Sequence, residues 1–155
     1  MTERNERMGL IILAAIAIPN LLRARLNANE AAAQSTIKTI STAVESFRAA
    51  QTTPTYPAVD STDTGVTGLT NVTPAYVDAG IFAAAGRQGY VFVYRPTLVG
   101  AVAQRYVATA TPVTDNVTGS RRFAVNETGV LKAAASPTAV PGDSAGYNAW
   151  GEVVQ

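Results

Sequence analysis

The feature that most constrains this chain is a long helical pattern that changes from apolar to polar partway along its length. The stretch from Met8 to Ile18 is continuously apolar, and Pro19 closes it. No glycine or proline follows before Ala50, so nothing in the sequence interrupts a helix there. We therefore predict one helix from about Met8 to Ala50, roughly 60 Å long at 1.5 Å per residue. Its irregularity is expected at Pro19, because proline removes one backbone hydrogen bond.

Beyond Pro19, apolar residues recur at steps of three, four or seven, which places them on one helical face. They are Leu22, Leu26, Ala33, Ile37, Ile40, Val44 and Phe47. The residues after the helix, about a hundred in number, are expected to form a globular head. This head cannot cover so long an apolar stripe, so the N-terminal half of the stripe is expected to contact lipid or other subunits. The apolar run is also too short to cross a bilayer alone, since a spanning helix needs about 20 apolar residues.

A cleaved signal peptide is the alternative interpretation of the N-terminus, with Ala15-Ile16-Ala17 as its cleavage site. Two observations oppose it. Glu3 and Glu6 offset Arg4 and Arg7, which leaves no positive region before the apolar run. The helical pattern also continues past the supposed cleavage site.

The remaining sequence predicts an α+β fold in which the long helix of residues 1–50 packs on a small antiparallel β-sheet. Residues 51–88 are expected as a connecting loop, 89–132 as a β-meander and 133–155 as a surface tail held by Tyr147 and Trp150. The sheet is expected to pack on Ile37, Ile40, Val44 and Phe47. The strand patterns are Tyr90–Tyr94, Arg105–Thr111, Arg122–Val125 and Val130–Lys132, with proline at 96 and 112 and a hairpin at 126–129.

Composition argues against an enzyme. The chain has no histidine and no cysteine, which removes the commonest general base, the commonest metal ligand and the thiol nucleophile. A net charge of +1 with 15% charged residues gives no basic face for nucleic acid. Asp143 and Glu152 could offer oxygen ligands to calcium, but two carboxylates are few for that ion, and a surface loop is expected. We expect no catalytic, cofactor or metal site.

The change from an apolar to an amphipathic helical pattern resembles the N-terminal helix of type IV pilins and of type II secretion pseudopilins. The residues that carry this resemblance are Ile12-Leu-Ala-Ala-Ile-Ala-Ile-Pro19 and the amphipathic stretch that follows them. The stretches Tyr106–Pro112 and Arg122–Val130 resemble the sheet of a bacterial pilin-like group. Members of the family begin this helix with a phenylalanine and a glutamate. Counted back from Pro19, the glutamate position falls near Thr2 and the phenylalanine position before Met1. The resemblance therefore gives no such role to Glu3 or Glu6.

The resemblance implies a non-enzymatic structural subunit of a type IV pilus or pilin-like filament. Its expected partners are copies of itself in a helical filament, the inner membrane before assembly, and the pilus or secretion machinery. The expected location is the inner membrane and then an extracellular filament. Two alternatives stay open: a pseudopilin in a periplasmic pseudopilus, and a secreted soluble binding domain. The expected assembly interface consists of Ile12, Leu13, Ile16, Ile18, Pro19, Leu22, Arg23, Leu26 and Glu30.

Charge pairing is the last expectation from the sequence. Arg23 and Arg25 follow the apolar run closely, and Glu30 lies shortly after them. An unpaired charge is costly in the interior of a filament, so pairing within or between subunits is expected for one of the arginines.

Overall fold

A computed structural model describes residues 20–62 and 65–154 with their side chains, and residues 2–19 by secondary structure alone. The helices are α1 (Thr2–Ala50) and α2 (Ser144–Ala149), with a 3₁₀ turn at Ala79–Phe82. The strands are β1 (Tyr90–Val99), β2 (Val102–Pro112), β3 (Arg121–Asn126), β4 (Leu131–Ala135) and β5 (Glu152–Val153). They form one antiparallel sheet in the order β1-β2-β3-β4-β5, which confirms the predicted α+β fold.

Helix α1 confirms the prediction of a single helix, since it runs from Thr2 to Ala50 without a break. The irregularity expected at Pro19 lies outside the residues whose side chains are described. Downstream, α1 packs on β1, β2 and β3. One face of the sheet is therefore the inner face, which the helix covers.

The inner core follows the predicted helical stripe with one change. Ile37, Ile40 and Val44 are fully buried against the sheet side chains Tyr90, Phe92, Tyr94, Tyr106, Ala108, Phe123 and Val125. Phe47 is half-buried, and its ring meets the ring of Tyr76 edge-on at a centroid distance of 6.0 Å. The last residue of the stripe therefore contacts the segment after the helix, which lies against this end of α1.

Residues 51–88 do more than connect the helix to the sheet. Apart from the 3₁₀ turn they have little regular structure, yet they bury a set of apolar side chains in the inner core: Tyr56, Val66, Leu69, Val77, Ile81 and Phe82. Ser61 also pairs with the open edge of β1, where its backbone N–H donates to the carbonyl oxygen of Tyr94 at 2.9 Å. This segment thus covers the β1 flank of the sheet.

The C-terminal segment corrects the expectation of a surface tail from residue 133 onward. Strand β4 extends to Ala135, and the chain then forms α2 and the short strand β5. Tyr147 and Trp150 hold this segment as expected: they pack with Val107 and Ala124 on the outer face of the sheet. The C-terminal segment packs there because the outer face of the sheet also carries apolar side chains, whose burial away from water is favourable.

The proline-terminated strands are also longer than expected. Strand β1 passes through Pro96, which lies opposite Tyr106, and β2 includes Pro112. Proline is tolerated in β1 because this is an edge strand, where the missing N–H can face away from the neighbouring strand.

Candidate assembly surface

The hydrogen bonds between α1 and the rest of the fold begin at Asn29 and Glu30. The Glu30 carboxylate accepts hydrogen bonds from the Ser120 backbone N–H at 2.9 Å and from Ser120 Oγ at 2.6 Å. It also accepts from Arg121 Nε at 2.8 Å, which makes an ion pair. Asn29 Nδ2 donates to the carbonyl oxygen of Thr118 at 2.9 Å. We call the group of Glu30, Ser120 and Arg121 the Glu30 clamp.

The clamp holds its carboxylate ionised. Burial by itself raises the pKa of Glu30, which is only 4% exposed. The hydrogen bonds from Ser120 and Arg121, together with the charge of Arg121, outweigh burial and lower the pKa below its ordinary value. The helix is therefore joined to β3 by a charged and fully hydrogen-bonded contact.

A second polar contact fixes the other end of α1. Tyr56 Oη donates to Glu45 Oε1 at 2.9 Å and accepts from Arg48 Nη1 at 3.3 Å. The Arg48 guanidinium lies 5.0 Å from the centre of the Tyr56 ring. Burial and the neighbouring Glu45 carboxylate raise the pKa of Tyr56 to about 12, so the phenol stays protonated and keeps donating. The helix is thus attached to the head from Asn29 to Arg48.

Residues 20–28, which we call the free segment of α1, lie before the Glu30 clamp in the chain. Leu21 is 69% exposed and Leu22 is 57% exposed, whereas Leu26 is half-buried. Arg25 stands between the two leucines on the helix surface, because it is four residues from one and three from the other. Together these three side chains line a shallow apolar hollow of about 380 Å³. The free segment therefore presents two large apolar side chains and a cation to the outside.

The structure places the expected interface residues in three groups. The side chains of Ile12, Leu13, Ile16, Ile18 and Pro19 lie outside the described residues. Leu22, Arg23 and Leu26 lie together on the free segment. Glu30 is turned into its own head and pairs with Arg121, not with Arg23 or Arg25. Among the described side chains, neither of those two arginines forms an ion pair.

Sequence reasoning did not find Ser120 and Arg121, the partners of Glu30. They lie about 90 positions away along the chain, and no local pattern distinguishes them from other polar residues at a strand start. Glu30 meets these two residues only because α1 packs against the start of β3, and a single sequence does not contain that packing.

Of the two C-terminal carboxylates considered as calcium ligands, only Asp143 has a structural role. The Asp143 side chain caps the N-terminus of α2 by accepting from the Gly146 N–H at 2.6 Å. Glu152 lies in β5, opposite Ala133. Within the part of the chain that the structure describes, no group of three His, Cys, Asp or Glu side chains could hold a metal ion.

Comparison with known proteins returned no match to a protein-family model, a curated protein or a solved structure. Over the described residues, no helix is sufficiently long and apolar to span a membrane.

Proposed function

We propose that this protein is a structural subunit of a type IV pilus or a related pilin-like filament, and that it assembles through α1. The observation that supports this most directly is the free segment. Leu21 and Leu22 are exposed on a helix that continues past the head to Thr2, and the residues before them are apolar by sequence.

Exposure of these leucines to water is unfavourable. Burying a large apolar side chain is favourable by about 1.5–3 kcal/mol. Two leucines on adjacent positions of one helix therefore favour association by several kcal/mol, provided that a partner covers both. In a filament every copy supplies the same helix, so each copy can serve as that partner.

The attachment of α1 to the head also suits assembly. Both polar contacts lie at or after Asn29, and no hydrogen bond among the described residues joins the free segment to the head. The helix is thus attached to the head from Asn29 onward, and residues 20–28 make no hydrogen bond to it. A segment that is already helical loses little conformational entropy when it packs against a neighbour.

The test is self-association of the full chain after detergent removal. We expect the parent protein to form sedimentable filaments that are visible by negative-stain electron microscopy. Changing both exposed leucines, Leu21→Ser with Leu22→Ser, should raise the critical concentration about 100-fold or more, since the two leucines together lose roughly 3–6 kcal/mol of burial.

A matched control changes two equally exposed apolar residues on the head. Val59 and Val99 are 52% and 53% exposed, and Val59→Ser with Val99→Ser should leave the critical concentration unchanged. Fluorescence of the single tryptophan, Trp150, verifies that each variant keeps its fold. A parent chain that stays monomeric without detergent would contradict the filament proposal, and so would equal effects of the two double variants.

A further inference from the structure

The inner face of the sheet is not completely covered. Helix α1 packs on β1 to β3, and residues 51–88 cover the β1 flank. The outer strands of a five-stranded sheet lie about 19 Å apart, at about 4.8 Å between neighbours, whereas one helix with its side chains is about 10–12 Å wide. The β4–β5 flank is therefore left beside the helix.

That flank contains a groove of about 690 Å³, which we call the β4–β5 groove. Ala133 and Ala135 lie opposite Phe123 and Arg121 in the register, so their methyl groups point to the inner face. Because these side chains are small, they leave space at this edge of the sheet. Val154, which packs against the inner core, completes the apolar lining.

The groove has one unbalanced charge. Glu152 lies opposite Ala133 and therefore points to the same face, where it lines the groove and is exposed. Among the described side chains it forms no ion pair. Arg121 also lines the groove, but its charge is balanced by Glu30 at 2.8 Å. The groove is thus lined mainly by apolar atoms, with the unpaired Glu152 carboxylate at its rim.

We infer that the β4–β5 groove of one copy receives Leu21, Leu22 and Arg25 from the free segment of a second copy. The inference rests on the proposed filament function and identifies its acceptor surface. The free segment presents two leucines and the cation of Arg25, which has no described partner. The β4–β5 groove presents a mainly apolar lining and the carboxylate of Glu152, which has no described partner either. Apolar and charged groups are therefore complementary in the same contact.

The donor and acceptor surfaces are different parts of the chain. Each copy can accept one neighbour in its groove and donate its own free segment to another. Such a heterologous contact does not pair a surface with itself, and it extends into an open helical array unless the rotation closes a ring. This property distinguishes the groove contact from a symmetric dimer.

Disulfide trapping tests the contact directly, because the chain has no cysteine of its own. Leu22→Cys is placed in one full-length chain and Ala135→Cys in another that carries a size tag. Both positions are exposed, so the substitutions should be tolerated. After mixing in detergent, detergent removal and mild oxidation, we expect a heterodimer to dominate. The control pairs Leu22→Cys with Val99→Cys, on the hairpin between β1 and β2, and should form at least 5-fold less heterodimer.

A charge exchange provides a second, independent measurement. Arg25→Glu and Glu152→Arg should each raise the critical concentration about 2- to 5-fold, as expected for an ion pair near the surface. The double variant should return it to near the parent value, since opposite charges again face each other. Two additive effects without rescue would contradict the inferred pairing.

The outcomes separate this inference from the proposed function. If the chain assembles but Leu22→Cys is trapped equally well by Val99→Cys, the groove inference is wrong and the filament proposal stands. If the parent chain does not assemble, both are wrong. Trapping at Ala135→Cys together with charge rescue supports both.

Discussion

Removal of the Glu30 carboxylate is the most informative perturbation of this fold. Glu30 is 4% exposed and accepts three hydrogen bonds that join α1 to the start of β3. Glu30→Ala leaves the Ser120 N–H and hydroxyl and the Arg121 guanidinium without their acceptor. Glu30→Gln keeps one oxygen acceptor and nearly the same shape but removes the charge.

The size of the effect follows from the exposure of each partner. Hydrogen bonds to a charged group contribute about 1.5–3 kcal/mol each when they are shielded from water. The Arg121 side chain is 47% exposed, so it can regain water and its share is small. Ser120 is exposed as well, so its two hydrogen bonds together contribute less than their fully shielded value. We therefore expect Glu30→Ala to lower the free energy of unfolding by about 2–3 kcal/mol, and Glu30→Gln by about 1–2 kcal/mol.

The pH dependence of stability gives a sharper result. The pKa of Glu30 is lowered in the folded state from an ordinary value of 4.5. The unfolded state therefore binds its proton first as the pH falls, and the stability that Glu30 contributes is present above about 4.5 and is lost as the pH drops through the folded pKa. The difference between the parent and Glu30→Gln should shrink between pH 7 and pH 3. The pKa of Asp115 is also lowered, by Ser136 and Arg122, but both proteins retain that contribution.

The assay is urea unfolding of the full chain in a mild detergent, followed by Trp150 fluorescence and by far-ultraviolet circular dichroism. Glu152→Gln is the control, because its carboxylate is exposed and has no described partner in a single chain; its effect should stay within about 0.5 kcal/mol. A Glu30→Ala variant as stable as this control would refute the clamp. So would a difference between the parent and Glu30→Gln that does not change with pH.

Two further paired comparisons test the core and a close approach of the backbone. Ile40 is fully buried, so Ile40→Ala should lower the free energy of unfolding by about 2–5 kcal/mol. Phe47 is half-buried, so Phe47→Ala should cost less than the roughly 3–5 kcal/mol typical of a buried phenylalanine. Urea unfolding in which the phenylalanine variant is the less stable would contradict the assigned packing. A Cβ atom at Gly119 would collide with the hydroxyl of Tyr90, whereas one at Gly142 would meet nothing within 4 Å. Gly119→Ala should therefore lower the melting temperature clearly, and Gly142→Ala hardly at all. Equal melting temperatures of the two variants would show that Tyr90 does not fill that space.

The sequence predicted the elements whose pattern is local. The absence of glycine and proline from residues 20–50 indicated a continuous helix, and α1 has no break there. The spacing of Ile37, Ile40 and Val44 indicated one buried face, and all three are buried. The strand patterns and the hairpin predicted at 126–129 indicated antiparallel neighbours, and the structure has both, with a φ of +72° at Gly129 in that turn. These features depend on residues a few positions apart, so a single sequence contains them.

The structure alone decided the contacts between distant segments. Residues 133–155 are rich in small residues and turn formers, and their sequence does not show that Tyr147 and Trp150 cover the outer face of the sheet. Likewise, nothing near Glu30 identifies Ser120 and Arg121 as its partners. Both contacts depend on which faces remain open after the helix and strands have packed together. That is a property of the whole fold, because burial of apolar surface and satisfaction of a buried charge are determined only when all the segments are in place.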